Sequence, residues 1–214
     1  MICVIAGGGE ARFPDTKDAF VIAADSGYNR CVENNIAPDL LVGDMDSIQG
    51  SVPDASDIPI VRAPCEKDDT DTMLAIKIGF ERGYRDFVLT GVTGGKRLDH
   101  TLAAISSLEY IADHGGEGCI IDSSCKMFVQ TDGTRRYEGR GAGYISVFSL
   151  TDSSRLAMRG LKYGGEDMTV TRDFPLGVSN NFREEYGEIQ VYEGKILVII
   201  EYCCLLYTSD AAAD

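Results

Sequence analysis

The sequence is short of positive charge: 20 lysines and arginines stand against 34 aspartates and glutamates, for a net charge of −14. That balance excludes a protein that grips a nucleic-acid backbone by counterion release. Long apolar runs are also missing, since none approaches the ~20 residues that a membrane helix needs. The opening stretch Met1 to Ala6 is too short and too uncharged for a signal peptide. A cytoplasmic protein with neither nucleic acid nor membrane as partner is expected. No Cys-x-x-Cys occurs among the seven cysteines, and six of them sit in or beside apolar runs, as small hydrophobes do. Reduced thiols suit that compartment. What the chain does have is 44% hydrophobic residues, enough to bury a core, which excludes disorder and fibrous classes.

Charge is unevenly placed. Residues 1 to 133 hold 22 acids and 11 bases, whereas 134 to 202 hold ten and nine. Between Asp39 and Asp71, nine carboxylates face only Arg62 and Lys67, a density that repels itself unless a cation is bound. The first part alternates compact apolar runs (Met1 to Ala6, Phe20 to Ala24, Leu40 to Val42, Ile58 to Val61, Phe87 to Thr90, Cys119 to Ile121) with helical periods over Asp71 to Arg82 and Leu98 to Ala112. This predicts an α/β domain, a mostly parallel sheet with helices on both faces. After about Ile121, short alternating strands separated by glycine turns take over, and Tyr192-Glu193-Gly194-Lys195 reads as a hairpin turn. A smaller all-β sandwich or barrel follows. The expected boundaries are 1–125, 126–203 and a disordered tail over 204–214.

In such a sheet, ligands sit beyond the carboxyl ends of the strands. Gly7-Gly8-Gly9 follows the first run, where glycines allow a backbone to approach phosphate or simply make a turn. Asp25-Ser26-Gly27 follows the second; Asp25 can contact a ribose or a metal, and Ser26 can cap the next helix. In Gly43-Asp44-Met45-Asp46-Ser47 two aspartates spaced by one residue can reach one hard cation, and Mg²⁺ suits few carboxylates plus phosphate oxygens. Lys67-Asp68-Asp69-Thr70-Asp71 opens a helix with more acids than a helix dipole needs, so one acid is expected to cap and Asp71 to point into the cleft. From Gly94-Gly95-Lys96-Arg97 to Asp99-His100, loop amides, a helix terminus and the Arg97 guanidinium can converge on phosphate. Asp99 can ligate metal or orient a substrate hydroxyl, and His100 reads as polar support. Together these motifs describe nucleotide phosphates held by Mg²⁺ between acids.

This ordered series, with Pro38-Asp39 and with Gly177-Val178-Ser179-Asn180 in the second part, resembles the thiamine pyrophosphokinase (thiamin diphosphokinase) family over nearly the whole chain up to Tyr202. Lys96 departs from the pattern as an extra residue between the glycines and the arginine. The resemblance implies a homodimer that transfers a diphosphate from ATP to the thiamine hydroxyl, releasing AMP, with thiamine near the subunit interface. It implies that Asp44, Asp46 and Asp71 hold Mg²⁺ and that Asp99 joins them in catalysis and meets the substrate. Asp25, Ser26, Gly27, Lys67, Thr70, Gly94, Gly95 and Arg97 would then bind ATP, and Ser179 and Asn180 the aminopyrimidine. The residues alone leave open another Mg-dependent diphosphotransferase with a pterin-type acceptor, or a nucleotide-sensing module without turnover.

Overall fold

Short Val- and Ile-rich runs closed by glycine or aspartate suit strands buried on both faces. In the computed structural model, which describes residues 1–54, 56–63, 68–94 and 97–202, they become β1 (Ile2–Ala6), β2 (Phe20–Ala24), β3 (Leu40–Gly43), β4 (Ile60–Arg62), β5 (Asp86–Thr90) and β6 (Glu117–Ile121). They pair in the order β6-β5-β1-β2-β3-β4, every pair parallel. The chain works outward from β1 to β4, then returns to the other side of β1 with β5. That reversal puts a crevice between the carboxyl ends of β1 and β5.

Helices α1 (Gly27–Glu33), α2 (Asp71–Glu81) and α3 (Leu98–Asp113) cover the sheet. On one face Val4, Ala6, Val21, Ala23 and Leu41 pack with Cys31 of α1. On the other, Gly79 of α2 lies against the Phe87 ring and the Cys3 sulfur, and Leu108 and Ile111 of α3 lie against Gly118. Thr70 sets the start of α2, its Oγ1 accepting from the Met73 N–H at 3.1 Å, so a hydroxyl caps where an acid was expected. Ser26 holds the N-cap position of α1 without a side-chain capping bond. Asp39 has a structural task, because its carboxylate accepts from the Val21 N–H at 2.8 Å and prolongs the junction of β2 with β3. Burial pushes the Cys3 and Cys31 thiols up to about 12. Among the described residues no helix is long and apolar enough to cross a membrane.

These elements form one compact unit, Met1–Ser123, and a second begins at Ser124. The second contains β7 (Cys125–Gln130), β8 (Gly133–Glu138), β9 (Ala142–Ser149), β10 (Ser153–Arg159), β11 (Gly165–Thr171), β12 (Gly177–Asn180), β13 (Tyr186–Glu193) and β14 (Ile196–Tyr202). They make two antiparallel layers, β12-β9-β14-β7 and β11-β10-β13-β8. Ile145, Val147, Ile196 and Val198 from one layer meet Leu156, Met158, Ile189 and Val191 from the other, a sandwich core. One of its buried amides, Gln130, is satisfied: it donates to the carbonyls of Gly133 (3.0 Å) and Ile189 (3.1 Å) and accepts from the Tyr137 hydroxyl (2.9 Å).

Tyr192 to Lys195 does not close a hairpin. β13 pairs with β8 and β10, and β14 with β7 and β9, so this turn carries the chain from one layer to the other. Thr151 and Ser154 fix the crossing, Thr151 Oγ1 accepting from the Lys195 N–H and Ser154 Oγ donating to the Lys195 carbonyl. Both strands bury alternate residues in the shared core, one from each layer. The expected tail, 204–214, lies outside the described residues.

Gly79 offers a test in which two effects oppose. Alanine in a helix interior gains about 1 kcal/mol over glycine. Here its Cβ would stand 2.6 Å from the buried Phe87 ring, and overpacking of that kind costs about 1–3 kcal/mol. Gly79→Ala should therefore lower the urea midpoint, and a raised midpoint would show that the ring yields freely.

Candidate active site

Because the strands of the first unit are parallel, their outgoing turns gather at one edge. Gly7-Gly8-Gly9 leaves β1, Asp25-Ser26 leaves β2, Asp44 and Ser47 follow β3 and Gly91 to Thr93 leaves β5. With Asp69 to Thr72 at the start of α2 and Arg97, His100, Thr101, Ala103, Ala104 and Ser107 from α3 and its N-cap, they line a cleft of about 540 Å³. That volume suits a small-molecule site.

One corner of the cleft is acidic. Asp25, Asp44 and Asp46 each bring a carboxylate oxygen within 4.8 Å of the others. The local backbone explains how. Met45 is buried in the core beside Val21 and Leu41, at φ +69°, so the residues on either side of it turn outward. Asp25 also adopts a left-handed φ, +50°, with its N–H held by the Val42 carbonyl at 2.8 Å. Such backbone costs on the order of 1–3 kcal/mol at a non-glycine residue and persists where surrounding structure imposes it. Gly43, at φ +144°, lets Asp71 approach: a Cβ there would lie 3.1 Å from an Asp71 carboxylate oxygen. Asp46 accepts from the Ser47 hydroxyl at 2.7 Å, and Asp44 from the Asp46 N–H at 3.2 Å.

Two facts fit this corner to a hard divalent cation. Carboxylates this close repel one another, and Asp25 Oδ1 is buried with no hydrogen-bond partner among the described residues. A buried polar oxygen without a partner calls for an explanation, and a bound ion is one. Asp71 borders the group without belonging to the three-membered cluster.

The remaining acids are differently engaged. Asp69 is held by Lys77 Nζ at 2.8 and 2.7 Å, and this bond raises the Lys77 pKa. Asp99 is bound to Arg97, whose Nη2 lies 2.5 Å away, and that bond lowers the Asp99 pKa. Arg97 faces the cleft, 70% exposed, whereas Asp99 stands outside its lining. Gly27 packs where a Cβ would strike the Ala6 carbonyl at 1.8 Å, so it lets α1 sit against the end of β1. Ser26, Thr70 and Arg97 line the cleft; Gly94 ends the described part of its loop, at φ +74°. Lys67 and Gly95, with Lys96, lie outside the described residues.

Ser179 and Asn180 belong to β12 in the second unit. Ser179 is exposed at φ +56°. Asn180 is 3% exposed, and its Oδ1 accepts from the N–H groups of Tyr163 and Asn181, both at 2.9 Å, while Nδ2 donates to the Tyr163 carbonyl at 2.6 Å. One amide N–H is left for any other partner. Sequence reasoning missed the wall formed by Ala103, Ala104 and Ser107. Their helical spacing after His100 was available, but small residues there read as ordinary packing.

The description "Thiamin pyrophosphokinase, catalytic domain" matches residues 16–119, and "Thiamin pyrophosphokinase, vitamin B1 binding domain" matches 134–196. The chain belongs to the thiamin pyrophosphokinase family. Thiamine pyrophosphokinase from Bacillus subtilis superposes with a TM-score of 0.83 at 25% identity, over 94% of this chain and 98% of that one. Thiamin pyrophosphokinase from Geobacillus thermodenitrificans gives 0.80 at 27%, over 96% and 99%. The Candida albicans enzyme, 17% identical with a TM-score of 0.76 over 94% and 90%, shares the fold. No curated protein sequence matches the chain.

The acidic corner predicts a signed pair of effects. In chelator, Asp25→Asn should melt at or above the parent protein, because a repelling charge is gone. Millimolar Mg²⁺ should raise the parent Tm by preferential binding to the folded state, and the variant's little or not at all. An equal Mg²⁺-dependent rise in both would remove Asp25 from the cation site.

Proposed function

We infer that the chain is a thiamine diphosphokinase, carrying a diphosphate group from ATP to the hydroxyl of thiamine. The observation that carries this is the cluster of three carboxylates at the carboxyl ends of β2 and β3, in a chain whose two parts match the catalytic and vitamin B1 binding domains of one family. The hydroxyl oxygen attacks the β-phosphorus, the bond from that phosphorus to the α-phosphate oxygen breaks, and AMP leaves. The match over 134–196 favours thiamine over a pterin acceptor, and the catalytic-domain match favours turnover over nucleotide sensing.

Asp44, Asp46 and Asp71 are proposed to hold Mg²⁺, with Asp25 as a further carboxylate of the same corner. Bound there, Mg²⁺ would neutralise charge on the phosphate oxygens. Arg97 can bind phosphate if its guanidinium turns from Asp99, and Asp99 then becomes available to the substrate hydroxyl. Glycines 27, 94 and 95 and residues Asp25, Ser26, Lys67 and Thr70 remain proposed ATP contacts. Ser179 and the spare amide N–H of Asn180 are the proposed partners of the aminopyrimidine. A homodimer acting in the cytoplasm with thiamine near the subunit interface, built from domains 1–125 and 126–203, completes the reading, supported by the family resemblance.

Mass analysis of a reaction with Mg·ATP and thiamine should find thiamine diphosphate and AMP in equal amounts. Asp44→Asn and Asp46→Asn should each lower kcat on the order of 10²-fold, with no fall in the Tm measured in chelator. Near-normal turnover in both would reject the assignment. In the second unit the two polar residues should separate: Ser179→Ala should raise KM for thiamine at constant Tm, and Asn180→Ala should lower the Tm as well, because it strips the Tyr163 backbone of its partners.

A further inference from the structure

Two glycine loops meet where the strand order reverses. The Gly7 N–H donates to the Thr90 carbonyl at 2.8 Å, and the Gly9 N–H to the Gly91 carbonyl at 2.7 Å. A Cβ on Gly7 would lie 2.6 Å from Gly91 O, one on Gly91 2.5 Å from Gly7 O, and one on Gly9 2.8 Å from the carbonyl oxygens of both Gly91 and Thr93. The loops therefore touch backbone to backbone, with the Val92 side chain also against Gly7. Further along, the second loop has an additional fastening.

Thr93 supplies the handle. It is 4% exposed, its carbonyl sits over Gly9, and its Oγ1 donates to Asp122 Oδ2 at 2.6 Å. Asp122 is itself 7% exposed, directly follows β6 and stands outside the cleft lining. At that separation the hydroxyl and the carboxyl are firmly hydrogen-bonded. We propose that Asp122, acting through Thr93, is a positioning residue that fixes the β5 glycine loop against the β1 loop, and that the paired loops seat the polyphosphate of ATP. This deepens the phosphotransfer reading and rests on it.

Charge supports a geometric role. A carboxylate behind a phosphate site opposes the anion, so what Asp122 contributes is the bond that keeps the Thr93 hydroxyl turned inward and its peptide in place. An uncharged acceptor should serve as well.

The experiment measures ATP affinity by calorimetry and KM for both substrates. Thr93→Val, which keeps the volume and loses the hydroxyl, should weaken ATP binding about tenfold and leave KM for thiamine unchanged. Thr93→Ser and Asp122→Asn, which keep donor and acceptor, should bind ATP within about twofold of the parent. If Thr93→Val does not fold, Thr93→Ala takes its place with the same expectation. Unchanged ATP affinity in the hydroxyl-free variant overturns the proposal. So does a parallel rise in both KM values with a fall in Tm, the mark of a purely structural bond. A parent protein that binds ATP yet makes no thiamine diphosphate would refute the proposed reaction instead, and the calorimetric comparison would still decide the role of Asp122.

Discussion

Like charges crowded into one corner must be held there against their own repulsion, and the architecture of the first unit follows from that constraint. Three aspartates reach within 4.8 Å of one another because β2 and β3 are adjacent, parallel and buried on both faces, so their outgoing turns cannot drift apart. The left-handed backbone at Asp25 and Met45 stores strain that only a rigid frame sustains. Burial of Met45 between two of the acids is the local fastening, since it lets the core itself decide where the carboxylates point. Asp69 is removed from the competition by Lys77, leaving Asp71 as the acid of α2 that approaches the corner.

The second unit solves a different problem with different means. Its sandwich is closed by ordinary apolar burial, and polar groups inside it are spent on backbone: Gln130 on two carbonyls, Asn180 on the segment at Tyr163. A residue that the sequence suggested as a ligand contact thus serves as a brace for the backbone at Tyr163.

How much of this could be read from the residues varied with the range of the interaction. The strands of the first unit were legible because a buried parallel strand is a continuous apolar run, and α2 and α3 because their periodic faces end at glycines. Asp44 and Asp46 declared themselves by spacing. The partnership of Asp25 with them did not, being a consequence of strand order rather than of sequence separation. The turn at Gly194 misled for the same reason: local chemistry specifies a reversal, but only tertiary packing decides whether the strands on either side share a sheet. β12 hid behind Ser179 and Asn180, polar residues that look like a turn until the bonds to Ser146 and Tyr163 are seen. The bond from Thr93 to Asp122, 29 residues apart, has no local signature at all.

The buried thiols of Cys3 and Cys31 give the first unit an internal record of its own integrity. A thiol whose pKa stands near 12 has almost no thiolate at neutral pH, and thiolate is the form that peroxide, disulfides and alkylating agents attack. Cys3 faces α2 and Cys31 lies in α1 on the opposite side, so the two report on separate helix–sheet seams. While each seam is closed its sulfur is chemically silent; opening one returns that sulfur to ordinary reactivity. Oxidative damage at these positions is therefore a trace of breathing in the sheet, and its distribution between the two cysteines tells which seam opens more.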